Sequence, residues 1–184
     1  HARDNVSTVE LALDETGKFL GLRVRTVASI GAYMGMMGPH SPTNNLGGLA
    51  GVYTTPAIHV EATGVFTNNN QTGPYRGAGR PEASLAIEKV IDRAAREMGI
   101  DRVELRRRNL IPVDAMPFQT GLVFNYDCGI FEENLDKALG LADWDGFAAR
   151  RAATEKRGLL RGRGLSSSIE QAAGPLDETA EIRF

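Results

Sequence analysis

One cysteine, Cys128, is all the thiol chemistry available to this 184-residue chain. A single thiol excludes an internal disulfide. It also excludes a four-cysteine zinc site or an iron–sulfur cluster built within the chain, because each needs several thiolates. A redox enzyme using this chain must therefore pass its electrons through another polypeptide. Cys128 itself is expected to be a small buried apolar residue. No apolar run approaches the roughly 20 residues of a membrane span. No sign of charge dominates: the net charge is −2, which gives no global reason to expect nucleic acid or an acidic membrane as partner. Residues 1–20 lack the charged, apolar and small-residue blocks of a signal peptide. The three histidines, His1, His40 and His59, share no metal-ligand spacing.

What is present describes an ordinary soluble globular chain, 42% hydrophobic and 24% charged, long enough for one domain or part of a larger one. The chain opens on His1 and ends on the alternating run Thr179–Phe184 with no turn after it, which reads as an internal piece of a longer protein.

Val9, Leu11 and Leu13 alternate with polar or small residues and predict a strand. Asp14-Glu15-Thr16-Gly17-Lys18 is turn chemistry, and the alternation resumes at Leu20, Leu22 and Val24, which makes a hairpin reaching towards Ile30. Residues 31–51 hold six glycines and two prolines and read as a long irregular loop. Ile58, Val60 and Ala62 predict a third strand, with His59 on its solvated face. Ala83, Ile87, Val90, Ile91, Ala94 and Met98 form one stripe of a helix that Gly99 ends. Asp101 and Glu104 make a capping-box pattern for a second helix. Phe131, Leu135, Ala138 and Leu139 mark a third, stopped by Gly140, and Trp144, Phe147, Ala148 and Arg151 a fourth, ending near Gly158. A strand over Leu165–Ile169 and the terminal strand complete an α+β layout: strands and a Gly-rich loop over 1–70, the signature loop and helices over 71–158, strands over 159–184.

The most informative stretch is Gly73-Pro74-Tyr75-Arg76-Gly77-Ala78-Gly79-Arg80-Pro81-Glu82-Ala83. Glycines let backbone approach a ligand closely, Pro81 suits a first helical turn, and the helix start adds unpaired N–H groups and partial positive charge. The chemistry fits a phosphate, a carboxylate or an anionic cofactor edge; a plain tight turn into a helix fits it too.

Tyr75-Arg76-Gly77-Ala78-Gly79-Arg80-Pro81-Glu82-Ala83 resembles the molybdenum-loop signature of the xanthine dehydrogenase family, closest to molybdopterin-binding large subunits of the aerobic carbon monoxide dehydrogenase type. Val52–Pro56 resembles the Tyr-x-x-Pro segment before that loop, Asp101–Ile111 the segment after it, and Arg163–Glu170 a later active-site strand. The resemblance implies a fragment of a molybdenum hydroxylase large subunit. Tyr75, Arg76, Gly77, Ala78 and Gly79 would contact the cofactor, and Asn44, Ala78 and Ser167 would line the substrate pocket. It further implies a molybdenum–molybdopterin cofactor in its cytosine dinucleotide form, iron–sulfur and FAD subunits or domains as partners, a cytoplasmic location, and a homodimer of heterotrimers. The catalytic glutamate of such enzymes lies near the far end of the full subunit and is not in this chain, so no catalytic residue is assigned and the fragment would not turn over alone.

Departures from the pattern narrow the substrate. Purine-oxidising members place phenylalanines where this chain has Ala78 and Ser167, and an arginine where an ungapped match puts Asn44. Losing two clamping rings removes stacking worth about 1 kcal/mol per ring pair. Carbon monoxide oxidisers hold copper on a cysteine where this chain has Gly77. The expectation is a small substrate, neither a purine nor one taken by a copper–molybdenum centre. Glu170 is a lone carboxylate, structural or site-lining. Arg106-Arg107-Arg108 and the arginines of 150–163 are expected on solvated faces. The competing expectation uses these arginines and the Gly-rich loops as an anion- or nucleic-acid-binding module without redox chemistry.

Overall fold

A computed structural model of the chain describes residues 4–43, 46–170 and 179–183. Strands β1 (Asn5–Leu13) and β2 (Phe19–Gly31) form the expected antiparallel hairpin, with Val9 opposite Val24 and Glu10 opposite Arg23. The turn closes as its chemistry requires: the Asp14 carboxylate accepts from the Thr16 and Lys18 amides, and Gly17 takes φ 87°. Strand β3 (Ile58–Phe66) adds on the far side of β2, giving the order β1-β2-β3.

Its pairing with β2 is parallel, from Leu22 beside Ile58 to Gly31 beside Phe66. A parallel neighbour needs a crossover, and residues 32–57 supply it. That stretch is less irregular than its glycine content predicts, because it contains the short helix α1 (His40–Thr43) and a 3₁₀ turn over Leu46–Ala50. The consequence is positional. Both parallel strands end at the same edge, so residues 32–38 and 67–79 emerge side by side.

Helix α2 (Arg80–Met98) packs the predicted stripe of Ala83, Ile87, Ile91 and Ala94 onto Phe19, Leu22, Val24, Leu49 and Val52. Gly99 ends it at φ 67°. Helix α3 (Arg102–Arg107) follows, with the Asp101 carboxylate accepting from the Val103 and Glu104 amides. Only half of the capping box forms, since Glu104 binds Arg108 at 2.8 Å. A two-stranded ribbon, β4 (Phe118–Gln119) and β5 (Asn125–Tyr126), was not legible in the sequence. Helix α4 (Phe131–Leu141) runs through Gly140 instead of stopping there. Its end is made by Asp143, which takes the positive φ of 46°, and by the Trp144 amide bonding to the Leu139 carbonyl. Helix α5 (Phe147–Glu155) completes the cluster, and Gly158 follows at φ 72°.

The α+β class stands, but the strands expected at the carboxyl end do not form among the described residues. Residues 165–170 and 179–183 belong to no strand or helix; Phe184 lies outside the described residues. A strand exists only with a partner, and no strand among the described residues pairs with them. The period-two pattern is still expressed as burial. Leu165, Ser167 and Ile169 are half-buried, Ser166, Ser168 and Glu170 are exposed, and Leu165 and Ile169 pack on the core.

Candidate cofactor loop and its supports

The signature loop leaves the edge where β2 and β3 end together. Carboxyl ends of parallel strands are a recurrent place for ligands. Its lead-in is bonded to the end of β2: the Ala32 amide donates to the Asn69 carbonyl at 2.9 Å and the Thr72 amide to the Ile30 carbonyl at 3.1 Å. Gly31 is obligatory there. It takes φ 87°, and a Cβ would stand 2.3 Å from the Asn70 carbonyl oxygen.

Three consecutive residues then take positive φ: Gly77 at 87°, Ala78 at 43° and Gly79 at 101°. Two glycines do this freely; an alanine does it at a cost of about 1–2 kcal/mol. Turn bonds hold the shape, from the Ala78 amide to the Tyr75 carbonyl at 2.6 Å and from the Arg80 amide to the Gly77 carbonyl at 2.9 Å. Donors are fewer than the helix start promised. The Arg80 and Ala83 amides are spent on the Gly77 and Gly79 carbonyls, and Pro81 has none. Among the described residues, the amides of Gly77 and Gly79 donate to no backbone carbonyl. They flank Ala78 at the positive end of α2. Tyr75 and Arg76 are exposed beside them, Ala78 is half-buried and Gly79 is buried. A strained, over-determined bend with two amides available suits an anionic group.

Arg80, the first residue of α2, forms an ion pair with Glu170 at 2.7 Å. Both line a cleft of about 410 Å³ with Phe124, Tyr126, Cys128 and Ile169. Gly47 lets the Phe124 ring in, since a Cβ there would meet that ring at 2.7 Å. The Tyr126 hydroxyl donates to the Gly51 carbonyl at 2.8 Å, and burial pushes its pKa up to about 12. Cys128 is exposed, not buried as expected, because it lies in the loop after β5 beyond the core. A hydrogen bond to the Asp127 carboxylate, and that carboxylate's charge, raise its thiol pKa.

Of the expected substrate-pocket residues, Asn44 lies outside the described residues. Ala78 is in the bend. Ser167 is half-buried, on the segment whose Leu165 and Ile169 pack on the core.

One member of the arginine run departs from the expected solvated face, while Arg108 and most arginines of 150–163 are exposed as expected. Arg106 is fully buried, with Nη2 2.7 Å from Glu88 and Nη1 2.9 Å from Asp92. Burial acts against its charge, and the Glu88 and Asp92 carboxylates outweigh that and keep it protonated. Arg107 spans Glu132 and Asp136 on α4, and Arg108 binds Glu104. Further along, Arg150 pairs with Asp143, Arg151 binds Glu155 at 2.7 Å, and Arg163 lies 4.0 Å over the Trp144 ring. Arg106 is spent inside the fold and the others named here are matched by carboxylates or rings of the same chain, which weakens the case for an anion-binding module built on them. The buried Tyr53–Glu88–Arg106 network was missed. Its one trace is a carboxylate, Glu88, at i, i+3 and i+7 spacing with buried Ile91 and Ala95.

Comparison with known proteins agrees. A family model described as "Molybdopterin cofactor-binding domain" matches residues 1–110. The chain is similar to the 6-hydroxypseudooxynicotine dehydrogenase complex subunit gamma of Paenarthrobacter nicotinovorans, 32% identical over 99% of this chain and 24% of that one. It is similar to the carbon monoxide dehydrogenase large chain of Hydrogenophaga pseudoflava, 35% identical over 95% of this chain and 22% of that one. Among solved structures, quinoline 2-oxidoreductase from Pseudomonas putida 86 superposes with a TM-score of 0.79 at 31% identity, covering 86% of this chain and 20% of that one. Carbon monoxide dehydrogenase from Oligotropha carboxidovorans gives 0.74 at 31%, covering 85% and 20%. The chain thus spans about a quarter of the length of the curated relatives it matches.

Proposed function

The chain belongs to the molybdopterin cofactor-binding domain family, and on that premise we propose that it is the central, loop-bearing part of a molybdenum hydroxylase large subunit. The observation that carries this reading is the run of positive φ over Gly77-Ala78-Gly79 at the start of α2, with the Gly77 and Gly79 amides available on either side of the strained alanine. Tyr75, Arg76, Gly77, Ala78 and Gly79 would hold the molybdopterin group. When bound, that group supplies a two-electron oxidation in which the inserted oxygen comes from water.

The chain's own part is to bind, orient and exclude. Backbone amides aimed at anionic ligands stabilise their charge without reorganisation. Arg76 adds a cation from the solvent side, and α2 directs its positive end at the same place. Ala78 and the segment carrying Ser167 would wall a substrate site, with Asn44 as a third contributor. Small side chains at these places favour a small substrate that is not gripped between aromatic rings. The base that such a reaction needs is assigned to no residue of this chain. Support for partners comes from relatives that are named subunits of complexes. We extend this to iron–sulfur and FAD units as electron carriers, the cytosine dinucleotide form of the pterin, a cytoplasmic location, and a homodimer of heterotrimers.

Arg76→Ala in the intact subunit tests the assignment. Molybdenum and pterin content, measured by metal analysis and pterin fluorescence, should fall at least several-fold. Wild-type loading with wild-type turnover would overturn it.

A further inference from the structure

Resting on that reading, we infer that Glu170 is a positioning residue: its ion pair with Arg80 fastens the segment carrying Ser167 to the foot of the cofactor bend and sets the width of the cleft beside it. Arg80 has two attachments. Its amide donates to the Gly77 carbonyl at 2.9 Å and closes the bend. Its guanidinium reaches Glu170 Oε1 from Nη1 at 2.7 Å. One residue thus belongs to the bend by its backbone and to the segment by its side chain.

The segment needs such a tie. Residues 165–170 belong to no strand, so no ladder fixes them. Leu165 and Ile169 pack on the core, and Arg106 Nη2 donates to the Leu165 carbonyl at 3.4 Å. The Glu170 pair adds a hold at the far end, on the first residue of α2. In the cleft of about 410 Å³, Arg80, Ile169 and Glu170 face Phe124, Tyr126 and Cys128. The side formed by Phe124 and Tyr126 is fixed. The Tyr126 hydroxyl donates to the Gly51 carbonyl at 2.8 Å, and the Phe124 ring fills the space that Gly47 leaves. The segment is therefore the adjustable wall, and Glu170 sets where it stands.

Exposure decides which effect dominates. The Arg80 side chain is 21% exposed and that of Glu170 60%. A pair so open to water adds little to global stability. Its loss acts on the place of the segment and leaves the fold intact. The Arg80 charge is matched by Glu170, so holding the cofactor stays with the bend's amides and Arg76.

The test uses the intact subunit and the variants Glu170→Gln, Arg80→Gln, their combination, and Arg80→Lys. Cys128 reports the opening of the cleft through its labelling by bulky fluorescein maleimide relative to small iodoacetamide, read on its own peptide by mass spectrometry. Both reagents attack the thiolate, so the ratio cancels the thiol's own pKa. Each change to Gln should raise the ratio about threefold, because the wall opens locally. The combination should add nothing, as both changes remove one pair. Arg80→Lys keeps the charge of a one-pronged contact and should hold the wild-type ratio. Melting temperature, molybdenum content and the Mo(V) paramagnetic resonance spectrum of unlabelled, dithionite-reduced protein should stay as in the wild type. An unchanged ratio in Glu170→Gln, additive effects, or Arg80→Lys as open as Arg80→Gln would overturn the inference. So would a Mo(V) spectrum altered in Arg80→Gln but not in Glu170→Gln, which would give Arg80 to the cofactor instead. A wild-type intact subunit free of molybdenum would sink the proposed function and leave the labelling series standing.

Discussion

Arg106 Nη2 lies 2.7 Å from Glu88 Oε2, with the arginine side chain wholly withdrawn from solvent. The pair joins α3 to α2 in the interior, and Tyr53, Asp92 and backbone carbonyls satisfy its remaining donors and acceptors. Removing one partner strands the other's charge. Arg106→Ala should therefore cost about 3–5 kcal/mol. Arg106→Met paired with Glu88→Gln should cost clearly less, as both charges go together. Denaturant unfolding of the three proteins checks the order, and equal losses would contradict it.

The bend at Ala78 makes a second prediction. At φ 43° an alanine is strained, and glycine is not. Ala78→Gly should change stability by no more than about 1 kcal/mol, because relieved strain and added freedom of the unfolded chain oppose each other. Ala78→Val, β-branched at positive φ, should lose about 2 kcal/mol. Melting temperatures of the purified variants decide this. Ala78→Phe should also narrow the substrate range of the intact enzyme, and an unchanged range would show that the residue does not line the pocket.

Cys128 should be a slow nucleophile despite its exposure. The Asp127 carboxylate stabilises the thiol over the thiolate and raises its pKa. Asp127→Asn should lower that pKa and accelerate alkylation by iodoacetamide at neutral pH. Rates followed against pH should show the midpoint moving down; an unmoved midpoint would refute the pairing.

The contact of α3 with α4 should weaken in acid. Arg107 bonds to Asp136 and holds its carboxyl below the usual range. A depressed folded-state pKa means the contribution is fully present above the ordinary, unfolded carboxylate value. It is lost as pH falls through the lower folded value. Melting temperature should therefore drop on acidification through that window, and Asp136→Asn should flatten that part of the curve. A wild-type slope in the variant would rule the pair out as the cause.

Much of the fold was legible because it depends on local periodicity. Val9 to Leu13, Leu22 to Ile30 and Ile58 to Ala62 show the strand period, and Ala83, Ile87, Ile91 and Ala94 the helical one. Cys128 was misjudged because burial depends on what surrounds a residue, and here the ribbon's end carries it outward. Arg106 was misjudged for the opposite reason. Its neighbours Arg107 and Arg108 do reach solvent-side partners, and nothing in a run of three arginines tells which one turns inward.

The order of residues alone determined the first three strands, the main helices, the glycine bend before α2 and the family likeness, because turn chemistry and side-chain period act over a few neighbouring positions. Only the tertiary structure decided that β3 lies parallel to β2, that the loops at their ends therefore meet, and that Glu88, Tyr53 and Arg106 share one buried network. Those relations join residues distant in the chain. Their energy comes from desolvated hydrogen bonds that exist only once the core has closed around them.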